Sequence, residues 1–191
     1  MIWSIDHPDH GPMDLIYADP RRFGFIDLLD QIEDSPYLKG LGPEPLGNQF
    51  NAQMLADAFR SKKAPVKAAL LDQRVVAGLG NIYVAEALFR AHILPTVMAL
   101  SLVTKDGHPK PALEALARAV VAVLTEAIQV GGSTLKDFRN AEGGSGYFQH
   151  SFAVYDRADQ RCPTPECTGT ISRIVQSGRS SFFCPVCQKQ P

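Results

Sequence analysis

Four cysteines constrain this chain more than any other feature, because all of them fall within its last 30 residues. Cys162 and Cys167 enclose four residues, sixteen follow, and Cys184 and Cys187 enclose two. Two close pairs at that separation match a four-thiolate zinc site, each pair on a tight knuckle giving two ligands to one tetrahedral ion. The wider first pair is a looser form of the usual spacing. Two disulfides would use the same residues but need an oxidising compartment, and the start Met1-Ile2-Trp3-Ser4 lacks the basic region and apolar run of a secretory signal. With four protein ligands the metal has no open position, so the expectation is one structural Zn that folds the tail rather than catalyses. Thr170–Gln176 and Ser180–Phe183 are expected to pair as a hairpin turning at Ser177-Gly178-Arg179.

Upstream, Met13–Tyr17 and Phe23–Leu29 read as short strands joined by the turn Asp19-Pro20-Arg21-Arg22. Two strands cannot build a core alone, so this part reads as the remnant of a β-rich domain. Leu41-Gly42-Pro43-Glu44-Pro45-Leu46-Gly47 reads as a linker. Helical periodicity follows. Asn51 caps a helix with Met54, Leu55, Ala58 and Phe59 on one face, and Pro65 suits the first turn of a second with Val66, Ala69 and Leu70. Ile82–His92 carries Ile82, Ala85, Leu88 and Phe89, and a longer helix carries Leu113, Leu116, Ala117, Val120, Leu124, Ala127 and Ile128 up to a Gly131-Gly132 stop. Ser133–Arg139 reads as one more short helix and residues 140–149 as a glycine-rich loop. No stretch approaches the ~18 apolar residues of a membrane span, so a soluble, cytoplasmic chain is expected.

The net charge of −1 is unevenly laid out. Residues 1–59 carry three basic and ten acidic side chains, whereas residues 60–92 carry six basic and two acidic, and residues 157–191 five basic and two acidic. Two basic segments can form one electropositive face for a polyanion, or simply two solvated surfaces. Between two helices lies Gly78-Leu79-Gly80-Asn81, whose glycines permit close approach and whose following helix aims free N–H groups outward, as a phosphate site would, although an ordinary turn has the same composition. Lys63 and Lys67, four apart, are placed to reach the same anion.

Asp19-Pro20-Arg21-Arg22-Phe23-Gly24, Leu41-Gly42-Pro43-Glu44-Pro45-Leu46, Gly78-Leu79-Gly80-Asn81-Ile82-Tyr83 and the four-cysteine tail occur here in one order. The chain closely resembles the bacterial formamidopyrimidine-DNA glycosylase family, enzymes of base-excision repair that remove 8-oxoguanine and ring-opened purines and then cleave the strand. The resemblance implies an α+β fold: the remnant of an N-terminal β-sandwich over 1–40, a helix–two-turn–helix DNA-binding domain with the lesion-recognition loop over 41–149, and a zinc-ribbon β-hairpin over 150–191. It implies that Arg21 pairs with the orphaned cytosine, that Phe23 wedges the DNA kink, and that Lys63, Lys67 and Asn81 hold phosphates. It assigns Arg179 a phosphate contact and a part in strand cleavage, and Gly143, Ser145, Gly146 and Tyr147 the loop closing over the flipped base. Damaged double-stranded DNA is the implied partner of a monomer in a bacterial cytoplasm, at the nucleoid.

The same resemblance places an N-terminal proline nucleophile and an adjacent glutamate in the family's active site, and residues 1–3 here are Met-Ile-Trp. The amine is the electron sink of the reaction, so the 191-residue polypeptide is expected to bind damaged DNA without excising a base. A late start codon or a truncated record would account for it. The alternatives are a non-enzymatic, zinc-dependent module for kinked or abasic DNA, the sister endonuclease family acting on oxidised pyrimidines, and a zinc-ribbon protein-interaction module. Pro20-Arg21-Arg22-Phe23-Gly24 favours the purine branch over the pyrimidine one.

Overall fold

A computed structural model describes residues 1–19, 22–133 and 146–191. The chain divides into two units, Met1–Lys39 and Gly40–Pro191.

In the first unit β1 (Ile2–His7) pairs antiparallel with β2 (Gly11–Ile16), Trp3 opposite Leu15 and Ile5 opposite Met13. This corrects the expected hairpin: Phe23–Leu29 is not a strand, and β2 takes the segment before it as partner. In the loop after β2 the Asp19 carboxylate accepts the Gly24 N–H at 2.6 Å and its carbonyl accepts that of Arg22 at 3.2 Å. Among the described residues of this unit no apolar side chain is buried, as two strands without a covering layer require.

The second unit is built on four helices. Asn51 accepts the Met54 N–H at 2.9 Å and so caps α1 (Ala52–Phe59). Pro65 precedes α2 (Val66–Leu71), α3 spans Asn81–Arg90, and α4 runs Pro111–Gln129 with Pro111 in its first turn. Leu55, Phe59, Leu70, Leu88, Leu113, Leu116 and Val120 form the main core. On α4 the buried stripe continues through Val123 and Ala127, while Leu124 is half-buried and Ile128 exposed, one residue further round the helix from that stripe. The chain leaves α4 where Gly131 and Gly132 return their N–H groups to Ile128 and Ala127. Of the expected helix Ser133–Arg139, residues 134–139 lie outside the described residues.

β3 (Ser172–Gln176) and β4 (Arg179–Phe183) form the C-terminal hairpin, with Gln176 opposite Arg179. Ser177 and Gly178 both have positive φ, 48° and 73°, which a two-residue type I′ turn demands and glycine supplies without strain. The ribbon has no core of its own. Ile171, Phe182, Val154 and the cysteines share one apolar cluster with Ala85 and Phe89 of α3. A run of ring contacts, Tyr83 to Phe148 to Phe152 to Tyr155 to Phe182 at 5.2–5.8 Å, leads from α3 to β4.

Glu86 ties the two together. Its side chain is fully buried and accepts the N–H groups of Ala153, Val154 and Tyr155 at 2.9–3.0 Å. It sits on the apolar stripe of α3, four residues after Ile82 and three before Phe89. Glu86→Ala would orphan three N–H groups, so urea unfolding should show a loss of about 3 kcal/mol or more; Glu86→Gln, which keeps an acceptor oxygen, should lose less.

Candidate nucleic-acid interface

The ribbon begins from its sulfurs. The four thiol sulfurs of Cys162, Cys167, Cys184 and Cys187 lie within 4.8 Å of one another, with Cys162–Cys187 at 3.6 Å and Cys167–Cys184 at 3.8 Å. An ion about 2.3 Å from each of four sulfurs sets them about 3.8 Å apart in a tetrahedron, so the cage fits zinc. Backbone N–H groups of Gly169 and Cys187 donate to the sulfurs of Cys167 and Cys184 at 3.3 and 3.4 Å. With all four positions taken by thiols, the site is that of one structural zinc ion.

From this base β4 is carried to the helices. The carbonyl of Ser180 accepts from the Lys67 ammonium of α2 at 2.8 Å and from the Asn81 amide of α3 at 3.1 Å. Lys67 also donates to the Ser181 hydroxyl at 2.6 Å, and that hydroxyl donates to Gln176 Oε1 at 2.6 Å. On the other side of the hairpin Arg173 donates to the Ser180 hydroxyl at 3.0 Å. Lys67 is 1% exposed; burial first, and the repulsion of Arg179 second, lower its pKa from 10.5 to about 8. Arg179, one residue before this anchor, is exposed and meets no carboxylate among the described residues.

The turn into α3 is shaped by Gln73. Its amide donates to the carbonyls of Leu71 and Leu79 and accepts the Gly78 N–H at 2.7 Å, while Gly78 adopts φ 72°. Asp72 holds Arg74 at 2.9 Å and Lys62 at 3.3 Å, and the Arg74 guanidinium in particular keeps its carboxyl well below the usual range. Lys62 is therefore engaged, whereas Lys63 is exposed and forms no ion pair among the described residues.

Of the residues singled out in the sequence, Lys67, Asn81 and Arg179 meet around Ser180, and Lys63 lies in the turn before α2. Lys67 points inward rather than beside Lys63 toward a common anion. Phe23 is 78% exposed in the loop fastened by Asp19. Gly146 packs against the end of α4, where a Cβ would collide with the Gly132 carbonyl, and Tyr147 is exposed. A bridge between Ser133 and Tyr147 brings together the two ends from which segment 134–145 departs. Arg21, Gly143 and Ser145 lie outside the described residues. Sequence reasoning missed Glu86, Gln73, Ser180 and Ser181. Glu86 left a signal, a carboxylate on an apolar helical stripe, but the others are small or polar residues with no periodicity to betray them.

Residues 41–139 match the family model described as the formamidopyrimidine-DNA glycosylase H2TH domain, and residues 159–190 match the zinc finger found in FPG and IleRS. The formamidopyrimidine-DNA glycosylase of Rhodopseudomonas palustris is 60% identical over 177 residues, 92% of this chain and 60% of that protein. That of Allorhizobium ampelinum is 51% identical over 191 residues, 99% of this chain and 64% of that protein. The chain thus spans about three-fifths of the length of these relatives. Among solved structures, the MutM (Fpg) protein from Thermus thermophilus superposes with a TM-score of 0.76 at 42% identity, covering 91% of this chain and 64% of that one. A complex between the Lactococcus lactis Fpg and DNA containing an abasic site superposes with a TM-score of 0.79 at 33% identity, covering 95% and 64%.

Two outcomes follow for the purified chain. Elemental analysis should find one zinc per polypeptide, and Cys184→Ser or chelation should abolish it and release the β3–β4 hairpin, seen as loss of amide protection from Ser172 to Phe183. Because folded Lys67 loses its proton near 8 and unfolded lysine near 10.5, the unfolded chain binds more protons between those values. Stability should therefore rise from about pH 8 toward pH 10, and urea melts of Lys67→Met should lack that increment.

Proposed function

The chain belongs to the formamidopyrimidine-DNA glycosylase family, and from that premise we propose that it supplies the DNA-gripping part of a base-excision repair glycosylase and AP lyase. The substrate class is duplex DNA carrying 8-oxoguanine, formamidopyrimidine or abasic lesions, bound by a monomer at the nucleoid. The observation that carries this reading is the convergence on the Ser180 carbonyl. Donors from two helices fix the backbone directly behind an exposed arginine that has no carboxylate partner among the described residues. A guanidinium carried on a fixed stretch of backbone can meet a phosphate through paired N–H groups.

In this reading Arg179 and Lys63 contact phosphates on the lesion strand, and Asn81 serves at the mouth of α3. Phe23 stacks into the kink, and Arg21 fills the hole left by the flipped nucleotide. Gly143, Ser145, Gly146 and Tyr147 cover the extruded base. Functionally the chain divides into the catalytic-domain remnant 1–40, the helical DNA-binding part 41–149 and the zinc finger 150–191. The same grip would also serve a non-enzymatic, zinc-dependent module for kinked or abasic DNA.

Fluorescence anisotropy on a duplex with a tetrahydrofuran abasic analogue tests the reading. Affinity should exceed that for undamaged duplex and fall with salt at a log–log slope of about −1.8, two phosphates' worth, with Arg179→Ala reducing the magnitude by about 0.9. Borohydride trapping separates the two readings, since a covalent adduct marks an amine nucleophile and its absence a binding module. Binding indifferent to salt and to the abasic site would refute the DNA-gripping role.

A further inference from the structure

Lys67 combines two properties that do not belong together in a phosphate contact. Its side chain is 1% exposed, and its ammonium is already committed to the Ser180 carbonyl at 2.8 Å and the Ser181 hydroxyl at 2.6 Å. An ammonium has three protons, and two of them are spent inside the protein. A phosphate would have to displace both partners and leave the half-buried Ser180 carbonyl with Asn81 alone, at a cost that an exposed lysine such as Lys63 never meets.

We infer that Lys67 is a positioning residue that touches no phosphate itself but clamps β4 to α2, so that the neighbouring Arg179 is presented to the DNA backbone. The geometry supplies the lever. Ser180 directly follows Arg179, its carbonyl is gripped from α2 and α3, and its hydroxyl is gripped by Arg173 from β3. Ser181 continues the chain of bonds through Gln176 to the Pro95 carbonyl at 3.3 Å, which carries the hold across to the loop after α3. Lys67 and Arg179 repel each other, and neither forms an ion pair with a carboxylate among the described residues. Lys67 thereby acts on DNA only through the arginine.

The inference rests on the DNA-binding reading above, and a double-mutant cycle separates the two. Wild type, Lys67→Met, Arg179→Ala and the double variant are compared on the tetrahydrofuran duplex over a salt series, with zinc content and thermal midpoint recorded for each. Lys67→Met and Arg179→Ala should each weaken binding, by about threefold to tenfold, and each should shrink the log–log slope by about 0.9, the share of one phosphate. The double variant should be no weaker than Arg179→Ala alone. Multiplying losses, with a slope reduced by about 1.8, would mean that Lys67 holds a phosphate of its own and would overturn the inference. So would a Lys67→Met chain with lowered thermal midpoint but wild-type affinity and slope, which is the mark of a purely structural lysine. If Arg179→Ala itself changes nothing, the DNA-binding reading fails first and takes the inference with it. Should Lys67→Met not fold, lysine acetylation of the wild-type chain read by mass spectrometry decides the matter. Lys67 should react far more slowly than Lys63 in the free protein and unchanged on adding duplex, whereas protection of Lys67 that appears only with DNA overturns the inference.

Discussion

Zinc ligation at the four thiols is the constraint on which the functional surface depends. A ribbon of about thirty residues buries too little apolar area to fold by itself, and here its few apolar side chains are shared with Ala85 and Phe89 of α3. Metal ligation fixes the two knuckles, the knuckles fix the register of β3 against β4, and the register sets Ser180 opposite Val175. Only then does the Ser180 carbonyl fall within reach of Lys67 and Asn81. A metal that performs no chemistry thus determines where an arginine stands.

Helix α3 is the hub through which that placement is transmitted. Asn81 at its start holds β4, Glu86 in its middle holds the segment 153–155, and Arg90 at its end grips Glu126 of α4 through two hydrogen bonds of 2.6 and 2.7 Å. Beyond it, Gln188 donates to the Ile93 carbonyl while accepting the Cys184 N–H, so the metal knuckle is bonded to the chain that leaves α3. Polar groups buried in this way are costly unless every partner is present. The interface between helices and ribbon is therefore specific in register as well as favourable in area.

The first unit obeys different physics. Its two strands form a complete ladder yet bury no apolar side chain among the described residues, and Trp3, Ile5, Leu15, Ile16, Ile26 and Leu28 line one cavity. Near Phe23 the Asp19 carboxylate closes the loop on the Gly24 N–H, and the rings of Phe25 and Tyr37 meet with centroids 4.0 Å apart.

Local chemistry was legible in the sequence wherever it acts over short spacings. The cysteine pairs predicted the metal cage, Asn51 the cap, Gly131-Gly132 the end of α4, and Ser177-Gly178-Arg179 the hairpin turn, because knuckles, caps and turns are decided by a few adjacent residues. The glycosylase motifs also sufficed to identify the family. Strand pairing at the N-terminus was not legible, since nothing in Phe23–Leu29 or Ile2–His7 alone says which of them β2 will choose; β2 pairs with Ile2–His7, and Phe23–Leu29 forms no strand. Only the tertiary structure decided the role of Lys67, which in sequence is one of two basic residues four apart and in space is a buried clamp 113 positions from the carbonyl it holds. Charge is written in the sequence, but whether a charge faces water, a phosphate or the protein's own backbone depends on what the fold brings to it.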